Sequence, residues 1–291
     1  MKEQVSFQGA KQGQLFLIPT PIGNLEDMSF RSIAILKEVD VIAAEDTRHT
    51  MKLCRHFDIQ KPLFSYHEHN KKASGEKLIK AMLEGKSIGL VTDAGTPGIS
   101  DPGADLVAAC IEQEIKVIPL PGANAVLPAL IASGLDTDHF LFYGFLPRQK
   151  KERTEALEGL RAFPYTLIFY EAPHRLKQTV EALKDVFGNR QVTLARELTK
   201  RYETFVRGSL DELLLWTAAN EIKGECCLVV EGGIGQEDTE NVWWASLSII
   251  EHVNHYIKIK EMDKKQAIKQ TAMDRERPKR EVYNIYHESE A

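Results

Sequence analysis

A chain of 291 residues has room for about two domains of the usual 100–200 residues. Its 43% hydrophobic and 27% charged residues fit an ordinary globular protein, and a net charge of -5 excludes nucleic-acid binding through overall positive charge, so any such contact needs a local patch. Cys54, Cys110, Cys226 and Cys227 show no paired spacing, which fits a reducing compartment better than a disulfide framework or a zinc site. The N-terminal MKEQVSFQGAKQGQ lacks the apolar core of a signal peptide, and no run approaches the roughly 20 apolar residues of a membrane span. A cytoplasmic protein, without membrane or metal, is expected.

Taken in chain order, short runs rich in Val, Ile and Leu alternate with stretches of helical spacing. QLFLI (14–18), VDVIAA (39–44), SIGLV (87–91) and IKVIPL (115–120) are expected to be buried strands, being short, apolar and bounded by turn residues. Between them the spacing predicts helices over 29–38, 47–57, 73–84 and 103–112. That alternation argues for an α/β fold with a mainly parallel sheet covered on both faces. A helix over 122–134 is expected to bridge to a second half. There HFLFYGF (139–145), YTLIFY (165–170), QVTLAR (191–196) and ECCLVV (225–230) predict strands, with helices over 150–161, 173–187 and 209–220. Ser209 and Glu212 have capping-box spacing at the start of the last of these. The expected domains are thus 1–121 and 122–235, both α/β.

GGIGQEDTE (232–240) reads as a linker, and 236–291 as a helical, helix-turn-helix-like basic module with helices over 243–259, 264–273 and 278–287. Between positions 258 and 280 nine Lys and Arg stand against four Asp and Glu. Lys264, Lys279 and Arg280 belong to this excess, which suits contact with phosphates, although a solvated helical face carries the same pattern.

Familiar nucleotide motifs are missing. There is no GxxxxGK[ST] cradle, no GxGxxG after the first strand, no HExxH and no GxSxG elbow. Three Gly/Pro-rich loops follow strands instead: IPTPIGN (18–24), TDAGTPGISDPG (92–103) and PLPGANA (119–125). In a parallel sheet all three gather at the C-terminal edge, where ligands bind in open α/β folds. They predict a pocket lined by backbone groups, with Asp93 as an anionic element, suited to a polar, partly cationic, adenosine-like ligand. Within the second loop, Asp101-Pro102 reads as a helix start, with Asp101 as cap and Pro102 in the first turn.

These loops, together with AAEDTRHT (43–50), SYHEHN (65–70), GFLPR (144–148), FYEAPHRL (169–176) and RELTKRYE (196–203), resemble the ribosomal RNA small subunit methyltransferase I family over almost the whole chain. The resemblance implies the fold of the tetrapyrrole methylase-like (class III) methyltransferases: two α/β domains with S-adenosylmethionine in the cleft between them. It implies methylation of the ribose 2′-hydroxyl of a decoding-centre cytidine in 16S rRNA, acting on the rRNA or the 30S ribosomal subunit as a homodimer. By the same resemblance the cofactor residues fall on Pro21, Thr92, Asp93, Ala94, Gly95, Ile99, Asn124, Ala125, Glu171 and Ala172. IPTPIGN stands where the tetrapyrrole enzymes carry a glycine-rich loop, which argues against a tetrapyrrole substrate.

Methyl transfer from a sulfonium needs alignment and a group near the hydroxyl that takes or stabilises its proton. Glu45, Asp46 and Arg48 follow a strand and are candidates for that work, although Asp46 also fits a helix cap. Arg48, His67, His69, Arg175 and Lys200 are candidate RNA contacts, beside Lys264, Lys279 and Arg280 in the tail. Two other readings use the same residues. One is methylation of a tetrapyrrole or another small molecule; the other is a non-catalytic RNA-binding ribosome-assembly factor.

Overall fold

Five short strands come first: β1 (Leu15–Leu17), β2 (Val41–Ala44), β3 (Leu63–Ser65), β4 (Ile88–Val91) and β5 (Val117–Pro119). They form one sheet in the order β3-β2-β4-β1-β5, and every pair is parallel. β4 lies at its centre with all four residues buried, as an unbroken apolar run requires when both faces are covered. Successive side chains take opposite faces. Val91 therefore packs with Leu36 of α1 (Phe30–Glu38) and Leu53 of α2 (Thr47–His56). Leu90 packs with Leu78 of α3 (Lys71–Leu83) and Leu106 of α4 (Ala104–Glu112) on the other side.

The chain then passes through α5 (Val126–Ile131) to a second sheet. Its strands are β6 (Phe140–Phe145), β7 (Thr166–Glu171), β8 (Gln191–Arg196), β9 (Thr204–Ser209) and β10 (Cys226–Val230). The order is β6-β7-β10-β8-β9, with β6 and β7 parallel and the remaining pairs antiparallel. One face carries α6 (Lys150–Glu158), α7 (Leu176–Phe187) and α8 (Leu210–Ala219), packed around Leu167, Phe169, Leu194 and Leu228. The other face receives Val126, Ala129 and Leu130 of α5 against Ile168, Ala195 and Val229. The helix expected over 122–134 is thus confined to six residues and joins the apolar layer of the second sheet. Residues 122–125 stay as loop, and the Asn124 carboxamide oxygen accepts the Leu127 N–H at 2.9 Å.

This computed structural model describes residues 3–6, 12–233, 244, 247–258, 260, 262–275 and 277–288. By contacts the chain divides into two units, Met1–Gly233, which holds both sheets, and Ile234–Ala291. Most of the linker read at 232–240, and the 235/236 boundary, lie outside the described residues. The second unit contains α9 (Ile249–Lys258), α10 (Lys264–Asp274) and α11 (Lys279–Glu288) around Val253, Ile268, Val282 and Tyr286. Asp263 caps α10, accepting the N–H groups of Lys265 and Gln266 at 2.9 Å each. His252 is fully buried between the rings of Trp244 and Tyr256. Its Nδ1 accepts from Arg275 Nε at 3.1 Å. Burial, then the Arg275 charge, push its pKa down to about 4, which keeps it neutral. No helix among the described residues is long and apolar enough to cross a membrane.

The capping box expected at Ser209 is present: the Ser209 N–H donates to Glu212 Oε2 at 2.8 Å, and the Glu212 N–H to Ser209 Oγ at 3.3 Å. Ser209→Ala is expected to destabilise the fold by about 1 kcal/mol, read as a lower midpoint in chemical denaturation. An unchanged midpoint would contradict the role of this cap.

Candidate active site

Because β1, β2, β4 and β5 run parallel, the loops that follow them leave the same edge of the sheet. The loop after β4 (92–103) sits in the middle and is bonded to the others. Thr20 and Gly95 exchange backbone hydrogen bonds of 2.9 Å, and Thr20 Oγ1 donates to the Thr92 carbonyl at 3.0 Å. Thr96 Oγ1 donates to the Ala123 carbonyl at 3.1 Å. From the loop after β2, the Asp46 N–H donates to Asp93 Oδ1 at 3.1 Å, and the Asp93 N–H points to Glu45 Oε2 at 3.4 Å. Four separate turns thereby become one surface.

The second part of this loop bends sharply. Ser100 adopts a left-handed φ of 59°, and Gly103 a φ of 148°. A Cβ on Gly103 would meet the Gly98 nitrogen at 3.0 Å and Leu90 Cδ2 at 3.2 Å, so the bend closes only around glycine. This corrects the reading of Asp101 as a helix cap. The helix α4 starts at Ala104 with Gly103 at its cap position and no side-chain cap, while Pro102 stays outside it. The left-handed Ser100 and the Gly103 turn override the local Asp-Pro signal and leave Asp101 on the wall of a cleft.

That cleft is a cavity of about 660 Å³ between the sheet edge and the second sheet, within the size range of small-molecule sites. One wall is Asp93–Thr96 and Ile99–Asp101, continued by Asn124–Leu127. The facing wall comes from Phe142, Phe145 and 170–173, with Leu198 and 225–227. β6 reaches the loop through a register shift between Phe142 and Gly144. A Cβ at Gly144 would stand 3.2 Å from Ser100 Oγ, so the approach is tight.

The residues singled out from sequence divide. Glu45, Asp93, Ala94, Gly95, Ile99, Asn124, Ala125, Glu171 and Ala172 line the cavity. Pro21 does not, its neighbour Ile22 taking that place, and Thr92 is buried behind the wall. Asp46 caps α2 by accepting the Arg48 N–H at 2.8 Å, and it pairs with the Arg48 guanidinium at 2.7 Å, which holds its carboxyl well below the usual range. Neither Asp46 nor Arg48 lines the cavity. The His67 N–H donates to Asn70 Oδ1 at 2.8 Å, and the His67 and His69 rings meet edge to face. Arg175 is turned inward: its Nη2 donates to the carbonyls of Leu146 and Pro147 at 3.1 and 3.2 Å. Lys200 donates to Glu197 at 3.0 Å and Glu225 at 2.9 Å. In the second unit Lys264 lies over the Tyr286 ring, at 5.0 Å from its centroid, whereas Lys265, Lys269, Lys279 and Arg280 are exposed.

Sequence reasoning missed Asp101 and Glu225 as cavity residues, and the aromatic wall of Phe142, Phe145 and Tyr170. Antiparallel pairing sets Cys226 opposite Glu171 and so brings Glu225 to the cleft, a long-range event without a local signal. Burial, with the nearby Glu45 and Asp93 charges, raises the Asp101 pKa to about 7. Burial also raises Glu45, against the opposing hydrogen bond from Asp93. The Cys226 and Cys227 thiols are pushed up to about 12 by burial, so at neutral pH neither offers a nucleophilic thiolate. Among the described residues, no group of three His, Cys, Asp or Glu side chains is placed to hold a metal ion.

A family model described as Tetrapyrrole (Corrin/Porphyrin) Methylases matches residues 14–214. The chain is 56% identical to the "Ribosomal RNA small subunit methyltransferase I" of Halalkalibacterium halodurans, over 99% of this chain and 100% of that one. It is 55% identical to the protein of the same name from Bacillus subtilis, over 99% of each, and 45% identical to that of Synechocystis, over 96% and 99%. Among solved structures it is similar to uroporphyrin-III C-methyl transferase from Thermus thermophilus complexed with S-adenyl homocysteine, with a TM-score of 0.54 and 16% identity over 75% of this chain and 97% of that one. A cobalt precorrin-4 methyltransferase gives a TM-score of 0.56 at 17% identity, over 75% and 94%. These two likenesses speak for the fold. The two stitched α/β sheets, the cleft between them and the full-length relatives lead to one conclusion: the chain belongs to the ribosomal RNA small subunit methyltransferase I family, on the tetrapyrrole methylase fold.

Proposed function

We propose that this protein uses S-adenosylmethionine to methylate the ribose 2′-hydroxyl of a decoding-centre cytidine in 16S rRNA. The observation that carries the reading is the chemistry of the cleft. Its walls combine carboxyl groups (Glu45, Asp93, Glu225) with loop backbone and an aromatic and aliphatic surface. That combination fits a ligand with a cationic end and a flat heteroaromatic end, as this cofactor has. When bound, the cofactor supplies an already activated methyl group, which leaves the protein mainly to align and to manage a proton.

Asp93–Gly95, Ile99, Asn124, Ala125 and Ala172 would hold it along the walls they form. Asp93 has a second duty, because its carboxylate also anchors the Asp46 N–H. Glu171 acts from behind: Thr179 Oγ1 donates to its Oε2 at 2.5 Å, and the Ala172 N–H to its Oε1 at 2.8 Å. It therefore fixes the 171–172 corner. The exposed Lys265, Lys269, Lys279 and Arg280 of the C-terminal unit supply a phosphate-facing surface, which supports RNA as the substrate class. Ile131 on α5 exposes 75% of its surface, an apolar position suited to burial against a second copy in the proposed homodimer.

Incubation with labelled S-adenosylmethionine and 30S subunits or 16S rRNA is expected to give one cytidine resistant to alkaline cleavage, because methylation removes the 2′-hydroxyl that attacks the backbone. Transfer to a tetrapyrrole and not to RNA would overturn the substrate. Asp93→Ala is expected to weaken S-adenosylhomocysteine binding by about tenfold or more, as the loss of charge-assisted hydrogen bonds implies, and to lower the melting temperature modestly. Wild-type affinity in calorimetry would reject the assignment. A chain ending at Gly233 is expected to bind S-adenosylhomocysteine like the full chain, but to bind RNA more weakly and with a shallower salt dependence. Equal RNA affinity would remove the tail from the interface.

A further inference from the structure

We infer that Asp101 is the proton acceptor for the hydroxyl that is methylated; this rests on the proposed reading of the cleft as a methyl-transfer site. Five carboxyl side chains border the cavity, and four are engaged inside the chain. Glu45 faces the Asp93 N–H, and Asp93 accepts the Asp46 N–H. Glu171 is bonded by Thr179 and by the Ala172 N–H. Glu225 pairs with Lys200 at 2.9 Å. Protonating any of these would weaken a contact that shapes a wall. Asp101 differs: among the described residues no cation or backbone N–H engages its carboxyl, and the nearby Thr92 hydroxyl is buried without a hydrogen-bond partner of its own. It is carried on the bend made by the left-handed Ser100 and closed by the Gly98 N–H donating to the Pro102 carbonyl at 3.2 Å, so backbone rather than an ion pair sets its place on the wall.

The groups that face Asp101 come from both sheets. Glu45 and Asp93 approach from the loops of the first, and Tyr170 and Glu225 from the second. None is a cation. Burial first, then the Glu45, Asp93 and Glu225 charges, favour the protonated form and bring the pKa to about 7, where a general base near neutral pH works best. In the step, the 2′-oxygen uses a lone pair to form the new oxygen–carbon bond as the carbon–sulfur bond breaks. The breaking pair stays on sulfur, which becomes a neutral thioether, and the hydroxyl proton passes to an Asp101 carboxylate oxygen. No oxidant or further reactant is needed.

Asp101→Asn, close to isosteric, separates this role from folding and from binding. S-adenosylhomocysteine affinity is expected to change by less than about tenfold, while the rate falls by about 10²–10⁴. In the wild type the rate is expected to rise with pH through about 7, as the carboxyl ionises, and this rise is expected to vanish in the residual activity of the variant. Asp101→Glu is expected to recover part of the rate. A melting series gives a readout independent of turnover. The folded state holds the proton up to about 7, whereas the unfolded state loses it near 3.8, the ordinary aspartate value, so wild-type stability falls as pH rises across that window. The melting-temperature gain of Asp101→Asn over wild type is therefore expected to grow across it and then level off. A variant that binds S-adenosylhomocysteine and keeps the wild-type rate and pH profile overturns the inference alone. A wild type that does not bind S-adenosylhomocysteine overturns the reading of the cleft, and the inference with it.

Discussion

The reciprocal backbone pair between Thr20 and Gly95 is the contact on which the site depends. A parallel sheet only delivers loops to a common edge; it does not fix them relative to one another. Here the loop after β4 is tied to the loop after β1 by that pair, to the loop after β5 through Thr96, and to the loop after β2 through Asp93. Backbone groups that would otherwise need water are satisfied within the wall, which leaves a surface whose shape is set before any ligand arrives.

The second sheet completes the cleft with different means. Its mixed strand order sets the end of β7 beside the start of β10, so Glu171 and Cys226 meet at the cavity. The apolar side of that sheet continues into Phe142 and Tyr170, giving the cleft one largely apolar wall opposite a polar one. The carboxyl groups around it then divide their work by surroundings rather than by residue type. Glu171 is fully committed to a corner, Glu225 to a lysine, Asp93 to a neighbouring loop, and Asp101 has burial without a cation.

Much of this architecture was legible in the residues. The runs that form β1, β2, β4 and β5 of the first sheet, and β6, β7, β8 and β10 of the second, are short, apolar and flanked by turn residues. β3 and β9 escaped notice for physical reasons: Leu63–Ser65 has three half-buried residues, and Thr204–Ser209 is an edge strand that carries Arg207 outward. The cavity lining was legible where a motif lay on one loop, as in 93–95, 124–125 and 171–172. It was not legible where partners come from far along the chain. Lys200 and Arg175 read as basic candidates for RNA, yet Glu225 and the Leu146 carbonyl claim them. Asp101 was misread because a local helix-start rule met a left-handed residue that no neighbouring pattern announces.

The C-terminal unit shows the same division between internal and outward charge. Arg275 is spent on His252 and on the carbonyls of Trp244 and Leu247, and Arg277 pairs with Glu281, so the basic count overstates what is available outside. A crystal structure of the protein with S-adenosylhomocysteine tests the role of the cleft in the first unit most directly. The ligand is expected between the two sheets, against Asp93–Gly95, Asn124, Ala125 and Ala172, with its sulfur on the Asp101 side. A ligand bound elsewhere, or one whose sulfur faces away from Asp101 and the cleft mouth, would contradict it.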